Sequence, residues 1–131
     1  MDISKLTQKS QEGLFAAQAL AAEQNNPEVD GEHLLQALTS QEGGLFPKLL
    51  TKLEVVSDSF LSAVHKEIER MPKVTGPGSE PGQIVITPRL NKVLLSAARE
   101  AQRLKDEYVS VEHIVLALID EGSKTPAGRI F

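Results

Sequence analysis

The chain has 131 residues, 40% of them hydrophobic, 24% charged and 4% aromatic, with a formal net charge of −4. That length suits one compact domain rather than two, and its core must rest on Leu, Ile, Val and Ala. The acidic balance argues against bulk attraction to nucleic acid or to an anionic membrane, and the lack of cysteine excludes disulfides and Cys-ligated zinc.

The opening Met-Asp-Ile-Ser-Lys lacks the basic-then-apolar order of a secretion signal. The longest strictly apolar run, Ile114–Ile119, falls far short of the ~18 residues that cross a bilayer. Together these place the chain in the cytoplasm, as an expectation. The first helix is predicted over about Gln8–Asn25, with Thr7 as its N-cap and Leu14, Ala17 and Ala21 as its buried stripe. A connector, Asn26–Val29, leads to a second cap at Asp30. The next helix carries Leu34, Leu35 and Leu38, with Glu32 in its first turn, where a negative charge suits the helix dipole. After Gly43-Gly44 come a short helix over about Leu45–Leu53 and a fourth following Ser57. The fourth carries Phe60, Leu61, Val64 and Ile68 on one face and ends before Pro72. A linker follows, in which six of the eleven residues Pro72–Gly82 are Gly or Pro.

Beyond the linker the chain repeats itself. Shifted by 80 positions, Leu6–Glu42 lies over Ile86–Gly122 without a gap, with nine identical pairs. These include Thr7/Thr87, Leu14/Leu94, Ala17/Ala97, Val29/Val109, Glu32/Glu112 and His33/His113. Thr87-Pro88 is a helix start, cap then first position, so a helix is predicted over about Pro88–Lys105. The connector Asp106–Val109, a cap at Ser110 and a helix bearing Ile114, Val115 and Leu118 follow. Thr125-Pro126 opens one more helix. The expected fold class is all-α, a pseudo-two-fold tandem repeat of about seven helices in which each copy covers the other's apolar face. Repeat one is read as 1–71, the linker as 72–86 and repeat two as 87–131. Repeat two stops within its third helix, so a longer protein is expected to follow.

No catalytic apparatus is legible. There is no phosphate-cradling Gly-rich loop ending in Lys-Ser/Thr, no Gly-x-Ser-x-Gly elbow and no Cys nucleophile, so this segment is not expected to be an enzyme by itself. His33 and His113 invite a metal reading, but zinc takes three or four close ligands, and His65 belongs to another helix. Each His is instead expected to pack at a helix N-terminus with one ring nitrogen bonded to backbone. Thr7 reads first as a cap and second as a contact at the rim of an inter-repeat groove. Asp106 and Glu107 read as turn residues, and Glu112 as a dipole partner.

The residues Leu6-Thr7-x-Lys9-Ser10-Gln11-Glu12, Ala17-Gln18-x-Leu20-Ala21 and Glu32-His33-Leu34-Leu35-x-Ala37-Leu38 resemble the Clp amino-terminal domain, the double Clp repeat of the Clp/AAA+ unfoldases. Three further segments, Gln41–Leu50, Met71–Gly76 and Leu104–His113, resemble its ClpB disaggregase branch, whereas the ClpA and ClpC relatives share the repeat without all three. The resemblance implies an all-α domain, mobile above an ATPase ring, that engages unfolded or aggregated polypeptide. It places ATP and magnesium in AAA+ modules outside this segment, which holds no cofactor of its own. It also implies a homohexamer and a link to the DnaK chaperone system, both through domains outside this segment, and neither a nucleic acid nor a membrane partner. Contacts to substrate polypeptide are implied at Thr7, Asp106 and Glu112, with Tyr108 and Val109 in the same motif. Glu54 departs from the family pattern, which has Gly there. A left-handed helix end at that position costs Glu roughly 1 kcal/mol.

The expected function is therefore client recruitment. An apolar groove between the repeats would hold exposed apolar segments of unfolded chains weakly, with Asp106 and Glu112 as an acidic rim. The alternative is a regulatory domain that docks one folded adaptor, as in ClpA- and ClpC-type proteins.

Overall fold

The computed structural model describes residues 3–73 and 85–121. A single 3₁₀ turn, Ile3–Lys5, precedes α1 (Gln8–Glu23), β1 (Glu28–Val29), α2 (Gly31–Thr39), α3 (Leu45–Lys52) and α4 (Ser57–Glu69). Then come β2 (Val85–Ile86), α5 (Pro88–Arg103) and α6 (Val111–Asp120). Among the described residues the fold is all-α apart from one two-residue strand pair and a single bridge. The helix expected after Thr125-Pro126 and most of the linker lie outside the described residues.

Each predicted stripe is core. Leu14, Ala17 and Ala21 of α1 are buried, as are Leu94, Ala97 and Ala101 of α5. The alanines carry no bulk, so α1 packs closely on α2 and α5 on α6. Gly13 continues the same close approach: a Cβ there would stand 2.7 Å from Leu38 Cδ2. Phe60, Val64 and Ile68 of α4 are buried, while Leu61 is only half-buried. Phe46 and Phe60 join α3 to α4 edge to face, with ring centroids 5.6 Å apart.

The helix starts follow the sequence. Thr7 Oγ1 accepts from Ser10 N–H at 3.2 Å, and Thr87 Oγ1 from Leu90 N–H at 3.0 Å. The helix ends follow helix chemistry too. Asn25, Glu54 and Lys105 stand just past α1, α3 and α5 with φ of 60°, 60° and 62°. All three adopt the left-handed conformation that releases the next N–H to bond back onto the helix. Thus Val55 N–H reaches Leu50 O at 2.9 Å, the geometry in which Gly would replace Glu54 without strain.

The repeats are laced together by a reciprocal exchange of extended backbone. β2, which leads into α5, pairs in parallel with β1 in the connector of repeat one. Leu6, which leads into α1, forms a parallel bridge to Val109 in the connector of repeat two. Thr7 N–H donates to Val109 O and Thr87 N–H to Val29 O, both at 3.0 Å. These strands were not foreseen: a two-residue strand has no period to read. They also put Val85 and Ile86, assigned to the linker, into the ordered fold.

Candidate functional site

The two repeats do not close on each other completely. α3 of repeat one lies along α6 of repeat two and leaves a cleft of about 180 Å³. Leu45, Phe46 and Leu49 form one wall; Val111, Val115, Leu116 and Ile119 form the other, with Glu112 at the edge. Phe46, Val111 and Val115 belong to the core, but Leu45, Leu49, Leu116 and Ile119 are 45%, 40%, 48% and 42% exposed. Four large aliphatic side chains are thus held half in water, side by side. Leu53, Val55 and Val56, just past α3, are exposed as well. Contiguous apolar surface of this kind marks an interaction site. A wider cleft between α1 and α2, about 520 Å³, mixes Ala16, Leu20 and Ala37 with Lys9, Glu12, Gln41 and Glu42, whereas the α3–α6 cleft is lined almost wholly by apolar side chains.

The local sequence explains the exposed wall. α6 is apolar on more than one face. Ile114, Val115 and Leu118 point inward, and Leu116 and Ile119 stand half-exposed where repeat one has a half-buried Gln36 and a buried Thr39. A helix apolar around most of its girth needs a cover on each face. That polar-to-apolar change between aligned copies is the sequence signal for this wall. The α3 wall was hidden because nothing local says that α3 crosses to the other repeat.

The structure places each predicted site residue as follows. Glu112 stands on the groove, exposed and without an ion pair among the described residues. Thr7 caps α1, and its hydroxyl donates to Ser10 Oγ at 2.9 Å. Its backbone is tied to Val109, so these two are neighbours. The Val109 side chain is 3% exposed, so it belongs to the core and not to a rim. Tyr108 is exposed on the connector. The Asp106 carboxylate accepts from His113 Nε2–H at 3.0 Å and is half-exposed. Asp106 is therefore more than a turn residue.

The histidines are structural and alike. Asp30 N–H donates to His33 Nδ1 and Ser110 N–H to His113 Nδ1, each at 2.9 Å. The N–H donation leaves Nδ1 as acceptor and puts the ring proton on Nε2. His33 Nε2–H then donates to Asn26 Oδ1 at 2.9 Å. Burial drives the His33 pKa down to about 4, against partial opposition from Asp30. Among the described residues no three His, Cys, Asp or Glu side chains gather as a metal site, and no helix is long and apolar enough to cross a membrane.

The paired glutamates part company. Glu32 is fully buried. Arg89 Nη2 donates to both its carboxylate oxygens at 2.9 Å, and the same nitrogen lies 3.1 Å from Asp30 Oδ1. Burial, aided by Asp30, still raises the Glu32 pKa against the pull of Arg89. Glu32 is a buried tie between repeats, whereas its partner by sequence, Glu112, faces solvent.

Residues 5–131 match the family described as the Clp repeat (R) N-terminal domain. The chain is 48% identical over 130 residues to the chaperone protein ClpB of Nitratidesulfovibrio vulgaris, covering 99% of this chain and 15% of that protein. The Hsp104 N-terminal domain from Candida albicans superposes with a TM-score of 0.81 at 25% identity, over 97% of this chain and 79% of that one. A ClpV N-domain in complex with a VipB peptide superposes with a TM-score of 0.72 at 22% identity, over 90% of this chain and 69% of that one. At that identity the last likeness concerns the fold alone. The chain spans about 15% of the length of the curated ClpB relatives it matches.

Proposed function

The chain belongs to the Clp repeat N-terminal domain family, and from that premise we propose that it recruits clients for an ATP-dependent disaggregase of the ClpB type. It holds exposed apolar segments of unfolded or aggregated polypeptide in the α3–α6 groove and passes them to an AAA+ ring elsewhere in the protein. The observation that carries this reading is the row of half-exposed Leu45, Leu49, Leu116 and Ile119 facing a cleft between the repeats. Its curated relatives support the same direction: the ClpB proteins it matches are chaperones by name.

The physics of the groove suits transient binding. Burying four half-exposed aliphatic side chains yields a few kcal/mol at most. A disordered client loses entropy on docking. Affinity is therefore about micromolar or weaker, as a module that must release its client requires. Glu112 at the edge favours clients carrying Lys or Arg nearby, which acts on orientation more than on affinity.

The test is fluorescence anisotropy of a labelled, permanently unfolded polypeptide. Wild type should bind it and Leu116→Asp should weaken binding about tenfold with helicity intact. Equal affinity in both folded proteins would remove the groove from the account. Tight binding of one folded partner with indifference to unfolded chains would favour adaptor docking instead.

A further inference from the structure

Glu112, Leu116 and Ile119 form one stripe along α6, and all three are exposed. The matching stripe of α2 is Glu32, Gln36 and Thr39, of which Glu32 and Thr39 are buried and Gln36 is half-buried. The difference is α4. α1 takes one side of α2, where Gly13 meets Leu38, and α4 packs on another. Glu67 and Arg70, at the end of α4, share a cleft with Glu32 at the start of α2, so α4 runs back along α2, antiparallel to it. It brings Phe60, Val64 and Ile68, buried at i, i+4 and i+8. α6 packs on α5, α3 and α2, and among the described residues no counterpart of α4 covers its outer stripe.

We propose that the α3–α6 groove takes its client as an amphipathic helix, laid antiparallel to α6 beside α3 as α4 lies on α2. The helix carries aromatic or branched aliphatic side chains at i, i+4 and i+8, and a Lys or Arg two positions further on. This deepens the client-recruitment reading by naming the class of segment, and it rests on that reading. The backbone decides for a helix. Both walls are helix flanks whose N–H and C=O groups are paired within their own helices. An extended segment between them finds no backbone partner, so each polar group it buries there costs free energy. A helix arrives with these groups satisfied and offers side chains alone.

Charge sets the direction. Arg70 ends α4 in the same cleft as Glu32, and Glu112 holds the same place on α6 without an ion pair among the described residues. A basic residue at the end of the docked helix meets Glu112 and suits the helix's own C-terminal dipole. Segments of this pattern are buried in folded helical proteins and exposed when those proteins unfold. The groove thus reads a surface that native packing hides.

The test uses peptides of the chain's own Ser57–Arg70 and NMR of the isotope-labelled chain. The parent peptide carries Phe60, Val64, Ile68 and Arg70. A second peptide with Ser62→Pro keeps all four but breaks the helix, since Ser62 lies exposed in the middle of α4. The parent should shift the Leu116 and Ile119 methyls and show helical transferred NOEs. It should bind at least about tenfold more tightly than the proline peptide. A spin label at its C-terminus should broaden Glu112 more than Ile119. Equal affinity of the two peptides, no shifts with either, or the reverse broadening would overturn the proposal. Shifts at the Gln36 and Thr39 amides instead would overturn it too, because the peptide would then be displacing α4. Shifts of Leu116 and Ile119 that depend on protein concentration alone would make the occupant a second copy. Loss of peptide binding in a longer form of the protein would assign the face to the chain's own continuation. Either result would also overturn it. If a permanently unfolded protein shifts the same methyls while both peptides bind alike, the helix is excluded and the groove reading stands. No response to any of the three removes both.

Discussion

Arg89 holds Glu32 across the boundary between the repeats, with Nη2 2.9 Å from each carboxylate oxygen. The two lie 57 positions apart in the chain, so the pair ties the start of α5 to the start of α2. Glu32 is wholly buried and Arg89 only partly. Taking the cation away leaves a buried carboxylate without its counter-charge. Arg89→Ala is expected to cost about 3 kcal/mol in urea denaturation. Glu112→Ala, which removes the repeat-two counterpart of Glu32, should change stability by less than about 0.5 kcal/mol. Similar losses in the two variants would show that the asymmetry has no energetic weight.

A second expectation concerns pH. His33 has a folded pKa near 4, lowered from 6.5 by burial. The unfolded chain therefore takes up a proton on this ring near pH 6.5, while the folded chain resists until about pH 4. Its contribution to stability is fully present above 6.5 and lost progressively as pH falls to about 4, reaching roughly 3 kcal/mol. Glu32 works the other way: its raised pKa lets the folded state take a proton first, which offsets part of the loss at the acidic end. Thermal melts from pH 7 to 4.5 should fall more steeply for wild type than for His33→Gln. Parallel curves would exclude His33 as the source.

Glu54 sits past α3 with φ of 60° and is exposed. Glu54→Gly removes the Cβ from a left-handed position, so the variant should be more stable by about 0.5–1 kcal/mol in chemical denaturation. A loss of stability would mean that the unfolded-state entropy of the added glycine outweighs the relief.

Gly13 tests the close packing of α1 on α2. A methyl there would meet Leu38 Cδ2 at 2.7 Å, and Leu38 is itself fully buried. Gly13→Ala sets helix propensity, about 1 kcal/mol in favour, against overpacking of about 1–3 kcal/mol. A net loss of stability is expected. A gain would show that Leu38 moves aside freely.

Much of this architecture was legible from the residues. Thr7 and Thr87 declared helix starts, and the Leu-Ala-Ala stripes declared buried faces, because both signals are local and periodic. His33 and His113 read as packed at helix N-termini, and each Nδ1 accepts a backbone N–H there. What escaped was long-range or brief. The β1–β2 pair is two residues long, and its partners come from different repeats. Glu32 and Glu112 look identical in sequence; only the position of Arg89, where repeat one has Lys9, separates a buried ion pair from a solvent-facing acid. The groove was expected between the repeats, but its walls were not. Leu49 and Ile119 meet only because α3 crosses to α6. Asp106 reads from its place in the connector as a turn residue and, by resemblance, as a substrate contact; its carboxylate also holds the His113 ring.

The central claim is that the α3–α6 groove receives unfolded polypeptide. Methyl NMR of the labelled chain, titrated with a permanently unfolded protein, tests it most directly. The account predicts fast-exchange shifts at Leu45, Leu49, Leu116 and Ile119 that saturate in the micromolar range or above, and that vanish in Leu49→Asp. Binding with no change at these four methyl groups, or no binding at millimolar client, would contradict it.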